Sequence, residues 1–303
     1  MTLQMLVENR GDVSPRPRAK ARQFDPKPAL RSGELVLASL RDLPTQAYYR
    51  YLPRDLDRTS PPLVSIHGVS RNAREHAIAG RTLAQKLRRA LIAPLFSREH
   101  CRGFQLLGLD GRGERADVLL DRIVHEVALA AGFQPGAIDL FGFSGGAQFA
   151  HRYALFHPAR VRRLAVASAG WYTTPDPALA FPYGLARGPQ AMPSADLNAL
   201  LEIPQLVCVG SADSSRDRQV RSEPALDDRQ GRTRVERAFS YTAEIYRAAS
   251  LRGLRPRVRL AVIDGASHDF RDCMKRGLTE KLLDWFGARC PIDSFDTRNV
   301  HES

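Results

Sequence analysis

The stretch AIDLFGFSGGAQFAHRYA, residues 137–154, decides the fold. Residues 138–141 predict a buried strand, and the apolar and small residues of 144–156 predict a helix. Between them, the segment Gly142-Phe143-Ser144-Gly145-Gly146 places a serine at a sharp strand-to-helix turn. Such a turn needs glycine on both sides, because a Cβ there would collide with the neighbouring strand or helix. The pattern predicts that the turn lifts the Ser144 hydroxyl above the edge of the sheet, where it can act as a nucleophile. The simpler alternative is a serine that only caps the helix.

The chain on either side of this turn alternates between predicted strands and helices. The strands are predicted at 33–40, 46–53, 63–68, 91–96, 164–168, 205–210 and 258–263, and the helices at 73–90, 114–131, 233–250 and 272–286. This alternation is typical of an α/β fold, with a mostly parallel central sheet and helices on both faces. Two stretches interrupt it. One is a cap-like insert at about 171–201, and the other is a polar loop at 211–232.

Composition divides the chain into three parts. Residues 1–32 are rich in proline and basic residues and predict a flexible basic arm. Residues 33–290 predict one α/β domain that carries the cap-like insert, and residues 291–303 form a C-terminal tail. The N-terminus has no apolar segment after a basic start, as a secretory signal would have. No apolar run is long enough to span a bilayer. We therefore expect a cytoplasmic protein.

The basic charge of the chain does not by itself predict a nucleic-acid partner. The formal net charge is +12, and only five of the 45 basic residues are lysine. The arginines are scattered along the chain, with no dense run and no interleaved aromatic residues, so the pattern disfavours nucleic-acid binding. The four cysteines do not have zinc-ligand spacing, and we expect reduced thiols and no metal site.

A serine nucleophile needs a histidine base and a carboxylate that orients the base. In a sheet of this kind these partners follow the serine in the order acid and then histidine, each just past the end of a strand. Asp213 follows the strand at 205–210, and His268 follows the strand at 258–263. Asp217 lies in the same polar loop and is the alternative acid. The sequence therefore predicts a catalytic triad of Ser144, Asp213 and His268.

Acyl transfer also needs two N–H donors for the oxyanion and a pocket for the substrate. The amide of Gly145, directly after the nucleophile, is one predicted donor. The amide of Val69, in the loop that follows the strand at 63–68, is the other, and His67 is interpreted as a structural residue of that loop. The residues predicted to line the pocket are Ser70, Phe143, Trp171, Tyr172, Phe181 and Tyr183.

Taken together, these motifs resemble the α/β-hydrolase superfamily over residues 63–287. The resemblance rests on His67-Gly68, the nucleophile elbow at residues 142–146, Asp213 and His268. Within the superfamily, LVSIHGVSRNA followed by APLF, without an HGGG run, is similar to bacterial polyhydroxybutyrate-depolymerase-like and dienelactone-hydrolase-like esterases. The long arginine-rich loop after Asp213 departs from that pattern.

The resemblance implies a serine hydrolase that cleaves a carboxylic ester, or a related acyl bond, through an acyl-enzyme. It implies a small-molecule acyl substrate and no cofactor. Peptidase or amidase chemistry on the same triad stays open. So does a non-catalytic binding protein on a hydrolase fold with a basic arm. The sequence does not decide whether the chain forms a homo-oligomer.

Overall fold

A computed structural model describes residues 32–186, 195–217 and 220–288. The predicted basic arm lies outside the described residues except for Ser32, as do the C-terminal tail and residues 187–194 of the cap-like insert. Within the described ranges the eight strands are β1 (Leu35–Ser39), β2 (Ala47–Tyr51), β3 (Leu63–Ile66), β4 (Leu91–Pro94), β5 (Ile138–Phe143), β6 (Val161–Ala167), β7 (Gln205–Gly210) and β8 (Val258–Ile263). They form a single sheet in the order β1-β2-β4-β3-β5-β6-β7-β8.

The sheet is mostly parallel, as the alternation of elements predicts. β2 is antiparallel to both β1 and β4, while each of the other neighbouring pairs is parallel. Register then brings the functional loops together. Ile66 pairs with Gly142, which places the loop after β3 beside the turn after β5. Gly210 pairs with Ile263, which places the loops that carry Asp213 and His268 side by side.

Helices cover both faces of this sheet. They are α1 (Ala73–Leu87), α2 (Ala116–Ala131), α3 (Gly145–Phe156), α4 (Leu197–Glu202), α5 (Pro224–Gln230), α6 (Arg234–Ser250), α7 (Phe270–Cys273) and α8 (Thr279–Gly287). Helices α2, α3 and α6 pack on one face and bury the larger apolar core. Helices α1 and α8 pack on the other face with a second core. The strands between the two layers, such as β5 and β7, are buried along their whole length, as expected for a sheet covered on both sides.

Three predicted segments differ from the structure in more than the position of their ends. The polar loop at 211–232 contains α5, a short helix that begins at Pro224. The insert at 171–201 is irregular from Trp171 to Ala186, and α4 begins only at Leu197. The helix predicted at 272–286 is broken into α7 and α8 by a wide turn, where Gly277 has a φ of 120° that helical residues do not adopt.

The structure describes three of the four cysteines. Cys101, Cys208 and Cys273 are free and buried, and Cys290 lies outside the described residues. Among the helices of the described ranges, none combines the length and the apolar character that a bilayer crossing requires.

Candidate active site

The turn after β5 holds Ser144 in a strained backbone conformation. Ser144 has φ 55° and ψ −116°, and its side chain makes no capping hydrogen bond to α3. A Cβ added to Gly142 would lie 2.1 Å from the Gly146 carbonyl oxygen, and a Cβ added to Gly146 would lie 2.1 Å from the Ile66 carbonyl oxygen. Only glycine fits at both positions, since real contacts of this kind are never so short. The geometry is that of a nucleophile elbow rather than a serine cap.

Ser144, His268 and Asp213 form a continuous chain of hydrogen bonds. The Ser144 Oγ lies 3.0 Å from His268 Nε2, and His268 Nδ1 lies 2.8 Å from Asp213 Oδ2. The carboxylate can only accept, so Nδ1 carries the proton and Nε2 is free to accept the hydroxyl proton. Asp213 is buried, whereas the side chain of His268 is 16% exposed. The ring of Phe143 stacks on His268 with a centroid distance of 5.4 Å.

Arg234 holds the second oxygen of the Asp213 carboxylate. This arginine is the first residue of α6 and is completely buried. Its Nη1 donates to Asp213 Oδ1 at 3.1 Å and to Asp217 Oδ2 at 2.9 Å, and its Nη2 donates to Asp217 Oδ1 at 3.0 Å. Asp217, the alternative acid, therefore contacts the arginine, while the carboxylate that accepts from His268 is that of Asp213. Arg234 is not among the site residues predicted from the sequence. The usable signal was its position directly after Thr233, the N-cap of α6, which makes it the first residue of that helix.

The loop after β3 lies beside the first turn of α3. The backbone nitrogen of Val69 is 3.2 Å from the position that a Cβ on Gly145 would take. The first N–H groups of a helix have no partner within the helix, so the Gly145 amide is free to bind an anion. The two predicted oxyanion donors are thus neighbours. Ser70, the next residue after Val69, is exposed at the mouth of the loop.

His67 fixes the shape of this loop and takes no part in proton transfer. Its Nδ1–H donates to the Gly68 carbonyl at 2.8 Å, and its Nε2 accepts from the Phe96 amide at 3.0 Å. The ring is fully buried, and burial lowers the pKa of His67 to about 4. A neutral ring with both nitrogens occupied ties the β3 loop to the loop after β4, in agreement with the structural role predicted from the sequence.

The predicted pocket residues of the insert fall into two groups. Trp171 and Tyr183 lie together, with ring centroids 5.4 Å apart, close to the carboxyl end of β6. Tyr172 is completely buried and stacks on Tyr241 at 4.2 Å, which is a core position. Phe181 packs against Phe156 at the far end of α3, about 16 Å of helix away from the nucleophile. The structure therefore brings Trp171 and Tyr183 to this side of the site, and it places Tyr172 and Phe181 elsewhere.

No group of three or more histidine, cysteine, aspartate or glutamate side chains could hold a metal ion within the ranges that the structure describes. What the arrangement brings together is a serine hydroxyl, an imidazole, a buried carboxylate and two adjacent amides. These are the parts needed for acyl transfer through a covalent intermediate.

The sheet order, the strand directions and the elbow define the fold as that of the α/β-hydrolase superfamily. Among solved structures, the chain is similar to a poly(aspartic acid) hydrolase from Sphingomonas sp. KT-1. The two are 26% identical, the match covers 78% of this chain and 92% of that one, and the TM-score is 0.67. No protein-family model matches the chain, and no curated protein matches it in sequence.

Two further structures share this fold. A poly(3-hydroxybutyrate) depolymerase from Bordetella parapertussis is 28% identical, with 81% of this chain and 85% of that one covered and a TM-score of 0.67. An esterase from Pyrobaculum calidifontis is 17% identical, with 84% and 82% covered and a TM-score of 0.53. The similar structures are hydrolases, which supports a hydrolase function for this chain. The predicted resemblance to polyhydroxybutyrate-depolymerase-like proteins of the α/β-hydrolase superfamily is confirmed.

Proposed function

We propose that this protein is a serine hydrolase that cleaves a carboxylic ester, or a related acyl bond, through an acyl-enzyme. The observation that carries the proposal is the hydrogen-bonded chain from Ser144 Oγ through His268 to Asp213, built on a strained elbow. A serine that served only to cap a helix would need neither the positive φ nor a histidine aligned with its hydroxyl.

In the first half-reaction, Ser144 Oγ attacks the carbonyl carbon while His268 Nε2 takes the hydroxyl proton. The negative charge that develops on the carbonyl oxygen is stabilised by the amides of Val69 and Gly145. His268 then gives its proton to the leaving alcohol, and the acyl group stays on Ser144. Asp213 stabilises the imidazolium that exists between these two proton transfers.

In the second half-reaction, water takes the place of the alcohol. His268 Nε2 removes a proton from the water as the oxygen attacks the acyl carbon, and the same proton returns to Ser144 Oγ when the acid leaves. Arg234 is a positioning residue in both halves. It touches no reacting atom, but it fixes the Asp213 carboxylate in the plane that His268 needs.

Amide hydrolysis on the same residues is the second candidate. Two neighbours above 25% identity are named for polymers with different linkages, since poly(aspartic acid) is joined by amide bonds and poly(3-hydroxybutyrate) by ester bonds. A panel of p-nitrophenyl esters, run beside aminoacyl p-nitroanilides, distinguishes the two. We expect the esters to be cleaved with the larger kcat/KM.

The proposal is tested with a fluorophosphonate probe, which labels activated serines and ignores inert ones. We expect stoichiometric labelling of the wild type and none of Ser144→Ala, with unchanged thermal unfolding of the variant. A chain that binds no probe, or that is still labelled after the substitution, would instead support the non-catalytic alternative or a different nucleophile.

A further inference from the structure

Arg152 is a buried cation with no carboxylate partner in the part of the chain that the structure describes. Its side chain has no exposed surface. Its Nε donates to Thr173 Oγ1 at 2.9 Å, and its Nη1 donates to the carbonyls of Gln105 at 2.8 Å and Gln148 at 3.3 Å. Its Nη2 has no partner among these residues. Burial, together with the nearby cation Arg221, lowers the pKa of Arg152 to about 9.

Two equally buried arginines show the usual arrangement. Arg234 pairs with Asp213 and Asp217, and Arg237 pairs with Asp227 at 2.8 Å. Removing a charge from water costs several kcal/mol, so buried charges are ordinarily neutralised by an opposite charge. Arg152 is buried as deeply but has only neutral acceptors in the described ranges, so no carboxylate there balances its positive charge.

Arg152 lies close to the oxyanion donors. It binds the backbone of Gln105, whose side chain covers the first residue of α3, with Cγ 3.4 Å from the position of a Cβ on Gly145. Its guanidinium carbon is 4.2 Å from the ring centroid of Trp171, and that of Arg221 is 4.8 Å from the same ring. Arg221 is partly exposed and pairs with Glu223, so one of the two positive charges beside this indole is balanced.

A second pair of cations, Arg71 and Arg98, lies against the loop that carries Val69. Arg71 donates to the carbonyls of Phe96 at 2.8 Å and Cys101 at 3.1 Å, and no carboxylate pairs with it in the described ranges. Burial lowers the pKa of Arg71 to about 10, with a further contribution from Arg98. Arg98 is exposed, and its Nη2 lies 3.4 Å from the carbonyl of Val69, one of the two oxyanion residues.

From this charge pattern we propose that the substrate is anionic and carries a carboxylate close to the scissile acyl bond. The exposed guanidinium groups of Arg98 and Arg221 contact that carboxylate. The half-buried Arg71 and the fully buried Arg152 add positive potential from behind them, and the low dielectric of the protein interior strengthens that potential. This inference rests on the proposed serine hydrolase function and specifies its substrate class.

The competing explanation is that Arg152 and Arg71 only tie loops together through their carbonyl acceptors. Both explanations predict a loss of stability when Arg152 or Arg71 is replaced. The test therefore uses Arg98 and Arg221, whose guanidinium groups are more accessible. The substrates are the mono-p-nitrophenyl ester of adipic acid, which carries a free carboxylate, and its methyl ester, which has a similar length and no charge. The measured quantity is the ratio of the two kcat/KM values, anionic over neutral.

We expect a wild-type ratio of at least about tenfold, which falls steeply between about 0.01 and 0.5 M NaCl because salt screens exposed charges. Arg98→Gln and Arg221→Gln should each lower the ratio about fivefold, and Glu223→Gln should raise it. Arg232→Gln removes an exposed positive charge at the start of α6 and is the matched control, for which we expect no change in ratio.

A wild-type ratio near one overturns the inference, and so does a ratio that neither arginine substitution changes. If the neutral ester is cleaved well under those outcomes, the proposed function stands without the anionic substrate. If neither ester is cleaved and the fluorophosphonate probe does not label Ser144, the proposed function falls and this inference falls with it.

Discussion

Replacing Asp213 with asparagine is expected to reverse the tautomer of His268 without moving the ring. The two carboxylate oxygens of Asp213 face different partners, since Oδ1 accepts from Arg234 and Oδ2 accepts from His268 Nδ1. A guanidinium can only donate, so the amide oxygen of the asparagine must face Arg234. Its NH₂ group then faces His268, and Nδ1 must become the acceptor.

This reversal removes the base from the reaction. With Nδ1 accepting, the proton of the neutral ring is on Nε2, which lies 3.0 Å from Ser144 Oγ. That nitrogen can no longer take the hydroxyl proton. In a comparable triad this change lowers kcat by about 10⁴. At about 1.4 kcal/mol for each factor of ten, the loss corresponds to about 5.5 kcal/mol of transition-state stabilisation.

The assay is steady-state hydrolysis of a p-nitrophenyl ester by the wild type, Asp213→Asn and the control Asp217→Asn. The control neutralises a carboxylate that pairs with the same arginine, Arg234, but leaves the contact between Asp213 and His268 in place. We expect the control to keep kcat within about tenfold of the wild type. A kcat for Asp213→Asn above a tenth of the wild-type value, or a larger loss in Asp217→Asn, would refute the assignment of the acid.

Three further predictions concern the stability of the fold. Gly146→Ala places a Cβ 2.1 Å from the Ile66 carbonyl, so we expect it to destabilise the protein by about 3 kcal/mol or to prevent folding; urea unfolding like that of the wild type would contradict this. Phe181→Ala should lower stability by about 1–2 kcal/mol and keep the preferred ester chain length, because Phe181 packs on Phe156; a changed preference would return Phe181 to the pocket. Asp117 is buried, which raises its pKa, but hydrogen bonds from His157 and Arg115 outweigh burial and hold the pKa at about 2. Its contribution of about 2 kcal/mol is complete above about pH 4 and is lost as the pH falls toward about 2. The difference in unfolding free energy between wild type and Asp117→Asn should therefore shrink over that interval, and a constant difference would show that charge is not involved.

The sequence predicts the sheet and the triad because both depend on patterns that are local in the chain. The strands β7 and β8 are each a short run bounded by turn residues, and the structure has them at the predicted residues, Gln205–Gly210 and Val258–Ile263. Chain order then limits the choice of acid and base, because the loops that follow parallel strands all lie at the edge formed by the carboxyl ends of the strands. Asp213 and His268 meet at that edge because β7 and β8 are neighbours.

What the sequence does not predict depends on contacts between distant residues. An arginine side chain is ordinarily exposed, yet Arg234 and Arg152 are buried. Arg234 is bound by two carboxylates, and Arg152 is bound by acceptors from three different segments. The helix α5 has only seven residues, which is too short for periodicity, although the proline at its first position is a usable start signal. Phe181 is predicted to line the pocket because it is an aromatic residue of the insert, but it packs on Phe156, at the end of α3 away from Ser144.

Under the proposed mechanism, the strained turn at Ser144 also places catalysis and stability in opposition at one residue. A non-glycine residue whose backbone is held at φ 55° and ψ −116°, outside the ordinary regions of backbone conformation, costs about 1–3 kcal/mol. Glycine adopts such a conformation without that cost. Ser144→Gly should therefore fold at least as stably as Ser144→Ala, although both lack the hydroxyl. The difference between their unfolding free energies contains this backbone term together with the burial of the alanine Cβ and the larger entropy of the unfolded glycine chain. A descendant of this chain that no longer needed catalysis could exchange the serine for glycine and gain stability. The serine is therefore a residue that selection for folding alone would not retain.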